Sequence, residues 1–336
     1  MTQHAVTKSV LALLLGATTV SAQEQPNLLF NIPADGPLEW FASDNNTRGL
    51  AVIPNGNLLV ADRGAVNTVY ILDHETGRQV GNLDMTGVEG GTFPLNKVVV
   101  ARDGAIYACN LAAATSVFRI YYWADIQARP VVLFELPNSP LRWGDDLSVT
   151  GIGGSTRFLV SASDNTNLLV VEDRNGDGIF ESRQLPLDPE PFGIVQVEWD
   201  PSHHYLWVRQ ATAASAQARR HDVRTGKSTD ESGGIGAMSG PFTVARDPAG
   251  ETLLLTGPGF YPADGAQVNV DWTVQKPGSL NPIQISGRMN PDGAPKPNIN
   301  GAGDIVVDPW RNTVYILWTN NSISGWKLPV GVVAPR

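Results

Sequence analysis

Residues 97–108 read KVVVARDGAIYA, in which two short apolar runs flank the turn Arg102-Asp103-Gly104. Asp-Gly between two such runs is a strong hairpin signal, because both residues tolerate the left-handed backbone of a tight turn. The same arrangement recurs five times, with turns that contain Pro-Asn-Gly, Asp-Pro or a glycine. The further pairs occupy residues 49–61, 147–161, 195–208, 242–255 and 305–316.

A third apolar run and a second turn follow most of these pairs, as at residues 69–77 and 168–178. A repeated four-stranded unit of this kind is typical of β-propeller blades. We therefore predict an all-β, six-bladed β-propeller with blades of four antiparallel strands; five or seven blades are the main alternative. Residues 28–32 have no inner-strand pair of their own, so we expect this N-terminal strand to complete the last blade and close the ring.

The first 22 residues have the features of a secretory signal peptide. Lys8 precedes the apolar run 10–15, and Val20-Ser21-Ala22 has the small-x-small cleavage pattern. We therefore predict a signal peptide at 1–22, a single propeller domain at 23–336, and a location in the secretory pathway or outside the cell. The sequons at Asn45 and Asn320 are candidate glycosylation sites in a eukaryotic host.

Charge and composition restrict the partners. The chain has 24 basic and 33 acidic residues, a net charge of −9. An acidic surface disfavours nucleic acid and anionic membranes as partners, and no run beyond the leader is apolar for long enough to span a bilayer. The single cysteine, Cys109, leaves no partner for an intramolecular disulfide and is expected in a buried strand. A closed ring hides its sheet edges, so oligomerisation is not required.

Loop geometry separates the candidate residues into two faces. When strands A to D of a blade run outward in alternating directions, the D–A and B–C loops share one face, and the A–B and C–D turns share the other. Propeller binding sites usually lie on the D–A/B–C face. The histidines of the mature chain all fall in or beside turns of the opposite face: His74, His203, His204 and His221. We therefore expect neither histidine acid–base catalysis nor a Ser-His-Asp triad at the axis.

A calcium-loop pattern also falls on the opposite face. Asp173, Asn175, Asp177 and Glu181 have oxygen ligands at the spacing of such a loop. The twelfth position holds Gln184 instead of the usual Glu, and no helices flank the segment. We interpret it as a polar turn, and we predict no metal and no other cofactor.

The predicted binding face combines polar residues at strand ends with aromatic residues in the neighbouring loops. The candidates for catalysis are Asp145, Asp146, Arg48 and Arg209, and those for ligand binding by polar groups are Asn96 and Asp304. The aromatic candidates are Trp40, Phe93, Trp143, Phe192, Phe260, Tyr261 and Trp318. Apolar walls with a few converging polar groups are typical of a pocket for a hydrophobic small molecule. The alternative is that the Asp and Asn residues only cap turns and strand ends.

The blades resemble those of the senescence-marker/gluconolactonase family of six-bladed propellers. That resemblance implies a divalent metal at the axis, held by Glu, Asn and Asp side chains, and a lactone-opening activity. Asn96, Asp146 and Asp304 match part of such a cage, and Glu39 is the candidate for its first ligand. The chain reads Gly36-Pro37-Leu38-Glu39 where the family begins with Glu-Gly-Pro, which is a departure from the family's pattern.

The segments 48–52, 70–77, 90–96 and 106–111 resemble a family of secreted propellers of unknown role. The chain is also similar to propellers of fungal tropolone-sesquiterpenoid pathways, which act as hetero-Diels-Alderases joining a tropolone quinone methide to a humulene-type alkene. This resemblance implies that Asp145 or Asp146 acts as acid or base and that Arg48 or Arg209 binds the tropolone oxygens.

Three functions follow from these observations. A pericyclic reaction requires no nucleophile and no histidine, only two partners held in near-attack geometry and donors that polarise an oxygen. We therefore place a metal-free cyclase of secondary metabolism first. A metal-dependent lactonase or related hydrolase is second, and a non-catalytic, secreted carbohydrate-binding propeller is third.

Overall fold

The computed structural model describes residues 25–113, 115–188, 190–191, 193–210, 218–229, 240–258, 271–277, 283–288, 295–299 and 301–334. Its strands form six separate antiparallel sheets that follow one another in chain order. The predicted six-bladed, all-β propeller is therefore confirmed. Among the described residues the only helical segment is the short 3-10 turn Gly153–Ser155, so none of them forms a helix that could cross a membrane. The predicted signal peptide lies outside the described residues.

The blades are numbered in chain order, with the innermost strand of each named first. Strand β1 comprises Asn27–Pro33. Blade 1 contains β2 (Thr47–Val52), β3 (Leu58–Asp62), β4 (Thr68–Leu72) and β5 (Gln79–Asn82). Blade 2 contains β6 (Phe93–Val100), β7 (Ile106–Leu111), β8 (Phe118–Trp123) and β9 (Val131–Leu136). Blade 3 contains β10 (Asp146–Thr150), β11 (Arg157–Ser161), β12 (Asn167–Glu172) and β13 (Glu181–Pro186). Blade 4 contains β14 (Ile194–Trp199), β15 (Tyr205–Gln210) and β16 (Ala218–Asp222). Blade 5 contains β17 (Phe242–Arg246), β18 (Thr252–Thr256), β19 (Asp271–Gln275) and β20 (Ile283–Arg288). Blade 6 contains β21 (Gly303–Asp308), β22 (Thr313–Trp318) and β23 (Ser322–Lys327).

The N-terminal strand β1 completes blade 6, as predicted. It pairs antiparallel with β23, from Asn27 opposite Lys327 to Pro33 opposite Ser322. Phe30 of β1 packs against Tyr315 of β22, with ring centroids 6.3 Å apart. The first described strand of the chain is therefore hydrogen-bonded to the last, which closes the ring.

Blade 4 has three strands within the described residues instead of the predicted four. After β16 the chain turns at Gly226, where a Cβ atom would lie 1.9 Å from the Pro186 carbonyl oxygen. The following residues pair with the end of blade 3, because Ser228 N–H donates to Asp188 C=O over 2.7 Å. Ser228 also forms an antiparallel bridge with His221 of β16, so fourth-strand pairing in blade 4 is limited to this bridge within the described residues.

The core lies between the blades. Strands β3, β7 and β22 are buried along their whole length, because both faces of each sheet pack against a neighbouring blade. Such strands consist of continuous apolar runs without alternation, which explains the sequence pattern. Cys109 is fully buried in β7, and burial raises the pKa of its thiol far above the usual range.

The inner strands approach one another closely around the axis. At Gly49 of β2 a Cβ atom would lie 2.7 Å from the backbone nitrogen of Val98 in β6. A side chain at this position would push the two inner strands apart, so glycine is required here by the close backbone contact.

Candidate functional site

A cavity of about 480 Å³ lies at the end of the propeller axis where the inner strands begin. Arg142 and Asp145, in a D–A loop, and Arg63, in a B–C loop, line it. The two kinds of loop therefore meet at this cavity, as expected from the strand directions. A second cavity of about 340 Å³ opens at the opposite end and is lined by the far ends of the inner strands.

Cations dominate the described wall of the first cavity, which we call the arginine cavity. Its charged lining residues are Arg48, Arg63, Arg142, Arg209, Lys97 and Asp145. Asp145 is already paired, because its Oδ1 lies 2.5 Å from Arg142 Nη2 and its Oδ2 accepts the Ser163 N–H over 2.7 Å. Four guanidinium groups face one carboxylate among these residues, which leaves an excess of positive charge.

Two of the arginines share a neutral acceptor. Arg48 Nε and Arg63 Nη2 both donate to the Asn45 carbonyl oxygen, over 3.0 and 3.3 Å. Arg63 also donates to Asn96 Oδ1 over 2.9 Å, and its guanidinium lies 3.9 Å from the centre of the Phe93 ring. Burial, followed by the charge of Arg63, lowers the pKa of Arg48 to about 9, and burial lowers that of Arg63 to about 10. Burial therefore disfavours both charges, and the charge of Asp145 only partly opposes this effect.

Arg209 is a buried cation at the end of β15. Its Nε has no hydrogen-bond partner among the described residues, and the same holds for the Nε atoms of Arg63 and Arg142. Burial lowers the pKa of Arg209 to about 10, and the charge of Asp146 only partly opposes that effect. A buried, unpaired cation is costly unless a ligand supplies the opposite charge.

Irregular strand pairing occurs at the positions of two cavity arginines, Arg48 and Arg209. The register of β2 against β3 shifts between Thr47 and Gly49, so Arg48 is an extra, bulged residue. The register of β14 against β15 shifts between Ile194 and Gln196, next to the partner position of Arg209. Bulges redirect side chains and are common beside functional sites, and here they lie at the positions of the cavity arginines.

A second charged cluster lies deeper on the axis. The Nζ of Lys97 is 3.1 Å from Asp146 Oδ1, 3.2 Å from Asp304 Oδ2 and 3.3 Å from the Gly303 carbonyl oxygen. Burial alone would lower the pKa of Lys97, but the attraction of the two carboxylates outweighs burial and raises it above its usual range. Burial raises the pKa of Asp304 to about 6, although Lys97 opposes the effect. Asp146 and Asp304 thus meet at the axis around Lys97, a lysine that was not among the predicted residues.

Four polar side chains join neighbouring inner strands, and we call them the seam residues. Asn96 Nδ2 donates to the Gly144 carbonyl oxygen over 2.6 Å. Asp146 Oδ2 accepts the Val197 N–H over 2.8 Å, and Asp304 Oδ2 accepts the Leu50 N–H over 3.0 Å. Gln196 exchanges two hydrogen bonds with the backbone of Phe242, over 2.8 and 2.9 Å. Three predicted ligand-binding or catalytic residues, Asn96, Asp146 and Asp304, therefore connect adjacent blades.

The predicted aromatic residues occupy different places. Phe93 lines the arginine cavity beneath Arg63. Trp143 and Trp318 are fully buried in the core between blades, and Trp143 Nε1 donates to Ser139 Oγ over 2.9 Å, so neither forms the cavity wall. Trp40 stacks on Tyr70 of blade 1 at 4.0 Å and donates to Gln79 of the outermost strand. Phe192, Phe260 and Tyr261 lie outside the described residues.

The two sequon asparagines contact each other at the junction of blades 6 and 1. Asn320 Oδ1 accepts the Asn45 N–H over 2.7 Å, and Asn320 Nδ2 donates to the Pro297 carbonyl oxygen over 2.8 Å. Asn320 is buried, so its amide nitrogen is not accessible to a glycan in the folded chain. Asn45 is half-buried and lines the arginine cavity.

The remaining candidates lie away from the arginine cavity. His74, His203, His204 and His221 lie in or beside the A–B and C–D turns, on the opposite face, as predicted. In the calcium-like segment the Asp173 carboxylate accepts the N–H groups of Gly176 and Gly178 over 2.8 and 2.9 Å, which is the geometry of a polar turn. Glu39 is exposed and is not among the residues lining the cavity.

The axial residues do not fit the metal cage that a gluconolactonase-type propeller implies. The position between Asp146 and Asp304 holds the Lys97 ammonium, and the carboxylates that would bind a metal accept hydrogen bonds from it and from backbone amides. Elsewhere in the described part of the chain, no three His, Cys, Asp or Glu side chains converge in a way that would hold a metal ion. The residues at this axis therefore do not support a metal-dependent reaction step.

Several solved structures have the same architecture. A DUF4623 family protein from Bacteroides eggerthii superposes with a TM-score of 0.66 at 18% identity, over 90% of this chain and 75% of that one. A proposed gluconolactonase gives a TM-score of 0.53 at 11% identity, over 94% and 95% of the two chains. A structural genomics protein of unknown function from Bacteroides thetaiotaomicron gives 0.52 at 12% identity, over 84% and 69%.

These comparisons show a shared propeller fold. No protein-family model and no curated protein matches the chain. At such low identity the likeness does not transfer an activity. The expected resemblance to gluconolactonase-type propellers is confirmed for the fold, whereas the resemblance to fungal hetero-Diels-Alderases stays a prediction.

Proposed function

We propose that this propeller binds a small organic anion in the arginine cavity. The observation that carries the proposal is Arg209, a buried cation whose Nε has no partner among the described residues. A pair of acidic oxygens, as in a carboxylate or a tropolonate, would accept parallel hydrogen bonds from a guanidinium and supply the missing negative charge. Arg48, Arg63 and Arg142 line the same space and would strengthen this preference for an anion.

Apolar side chains form one part of the described wall, beside polar residues such as Thr92, Ser163 and Gln196. Phe93, Leu111, Val195 and Ile299 line the cavity beside the arginines. The cavity volume of about 480 Å³ lies within the usual range for small-molecule pockets, roughly 300–1,000 Å³. We therefore expect a ligand with an oxygen-rich, negatively charged end and a hydrophobic ring or chain. Such a ligand is the hydrophobic small molecule expected from the sequence, with a negative charge in addition.

Metal-free cyclisation is the chemistry that we propose for this site. Arg48 and Arg209 would donate to an oxygen on which negative charge develops during ring closure, while the apolar wall would hold the second reactant. Asp145 is the cavity carboxylate that would hold or release a proton. Asp146 receives no such role, because it lines the opposite cavity and is bound to Lys97.

The binding proposal is tested by thermal unfolding of the mature protein with benzoate as the probe anion at constant ionic strength. Benzamide, which has the same ring without the charge, is the matched neutral ligand. We expect benzoate to raise the unfolding midpoint in a saturable manner. At a hundredfold excess over Kd, the free energy of unfolding should increase by up to ~2.7 kcal/mol. An equal response to benzamide would contradict anion recognition.

The cyclisation proposal has its own test. A quinone methide generated in solution from a stable precursor is mixed with an alkene, and the enantiomeric excess of the cycloadduct is measured with and without the protein. We expect an excess of one enantiomer that disappears in Arg209→Met. A racemic product formed at the background rate would refute the cyclase and leave the binding proposal standing.

A further inference from the structure

The Lys97 ammonium has all of its hydrogen-bonding capacity satisfied on the propeller axis. Its three protons face three oxygens, Asp146 Oδ1, Asp304 Oδ2 and Gly303 C=O, at 3.1, 3.2 and 3.3 Å. The lysine side chain is 7% exposed, and those of the two aspartates are 5% and 10% exposed. An ammonium group has three donors and no acceptor, so this oxygen cage matches it completely.

The cage is assembled from three blades. Lys97 comes from β6, Asp146 from β10 and Asp304 from β21, so the ion pair joins parts of the ring that are distant in sequence. Each carboxylate also accepts a hydrogen bond from the main chain of a neighbouring inner strand. Asp146 accepts the Val197 N–H, and Asp304 accepts the Leu50 N–H. Two buried carboxylates this close to one point would repel each other strongly without a cation between them.

We infer that Lys97 is a tethered cation that occupies the axial cation position of this propeller and makes the ring independent of a divalent metal ion. The inference does not depend on the proposed function, because the ligand of the arginine cavity does not enter it. An ammonium attached to β6 is present in every folded molecule, whereas a metal ion must be bound from solution and can be removed by a chelator.

A variant without the ammonium should leave a vacant site for a cation on the axis. In Lys97→Ala the two carboxylates and the Gly303 carbonyl oxygen surround an empty space, and oxygen donors of this kind are the ligands that Ca²⁺ prefers. Lys97→Met is the matched control, because it also removes the charge but keeps a long side chain in that space. Both variants should be less stable than the wild type, and only Lys97→Ala should respond to Ca²⁺.

The experiment measures unfolding midpoints of the wild type and both variants in EDTA and in CaCl2, together with the metal content of the purified wild type. We expect the wild-type midpoint to stay within about 1 °C between the two conditions, and that of Lys97→Ala to rise by about 5 °C or more in CaCl2. Lys97→Met should show no such rise. If Lys97→Ala does not fold in EDTA, its refolding from urea with added Ca²⁺ replaces the midpoint as the readout.

Three results would overturn the inference. One is a stoichiometric divalent ion in the wild type whose removal lowers the midpoint. The second is a Lys97→Ala variant as stable as the wild type in EDTA, and the third is the absence of any Ca²⁺ effect on its stability or refolding. Benzoate binding is measured in a separate experiment, so a negative result for Lys97 leaves the proposal for the arginine cavity unaffected.

Discussion

Replacement of Arg209 by methionine should make the ligand-free protein more stable and abolish anion binding. Methionine keeps an unbranched, flexible side chain in the buried site but removes the guanidinium. The pKa of Arg209 is lowered to about 10 by burial, and its Nε has no partner among the described residues. The folded chain therefore disfavours this charge relative to the unfolded chain.

The magnitude follows from the pKa. An ordinary guanidinium titrates at least about 2.5 pH units higher, and each unit is worth about 1.4 kcal/mol, so the buried charge costs ~3 kcal/mol. This cost is fully present at neutral pH and is relieved only as the pH rises above about 10. In Arg209→Met we expect a gain of up to ~3 kcal/mol, which raises the unfolding midpoint by about 5 to 10 °C.

Calorimetry or circular dichroism gives the midpoint without ligand, and a benzoate titration then gives the affinity. We expect affinity to fall at least about 30-fold in Arg209→Met, because truncating one partner of a buried charged hydrogen bond costs 2 kcal/mol or more. Arg78→Met is the control, since Arg78 is exposed on a turn of blade 1. A lower midpoint in Arg209→Met together with unchanged benzoate binding would refute the reasoning.

Three further substitutions test other parts of the structure. Asp62→Asn should equal the wild type in stability near pH 4 and exceed it by ~1–2 kcal/mol at pH 7. The reason is that burial raises the pKa of Asp62 to about 6, so the wild type loses stability as the pH rises from 4 to 6. Solvent screening reduces the size of this effect. Parallel stability curves for both proteins over this pH range would contradict the prediction. Gly49→Ala should lose ~1–3 kcal/mol in urea unfolding, because its Cβ would lie 2.7 Å from the Val98 nitrogen, and unchanged stability would show that β2 and β6 can separate. Asp145→Asn should bind benzoate a few-fold more tightly, because it releases Arg142 and removes the one carboxylate of the described wall; weaker binding would mean that Asp145 contacts the ligand directly.

The blade architecture could be predicted because its signals are local. Turns such as Asp103-Gly104 between apolar runs place each hairpin, and the run at 28–32 without a partner indicated the closing strand. Blade 4 was harder, since the contact of Gly226 with Pro186 joins two blades and has no local signal. Long-range contacts of this kind are not visible in the pattern of a single repeat.

The candidate site could be predicted only in part. Arg48, Arg209 and Phe93, at strand ends, and Asp145, in a loop, do line one cavity, because these strand ends and loops share a face. Trp143 was expected there for the same reason, but its indole is turned into the core between blades 2 and 3. The direction of a side chain at a strand end depends on bulges and register shifts, which a single sequence does not reveal.

Lys97 was missed although the sequence contains a signal for it. A lysine followed by three valines in an inner strand has to be buried, and a buried lysine requires acidic partners. Asp146 and Asp304, near the beginnings of two other inner strands, are those partners.

The seam residues explain how the repeats of one chain can diverge while the ring stays closed. Asp146, Gln196 and Asp304 each bind a main-chain group of the next blade, at Val197, Phe242 and Leu50. A main-chain partner is present whatever residue occupies the position, with proline as the exception where an N–H is needed. At these three junctions the hydrogen bond therefore constrains the side chain of one blade and not that of the other. A blade exchanged at one of these junctions would need to keep its own seam residue, and blade 2 would also need Lys97, the side-chain partner of Asp146 and Asp304.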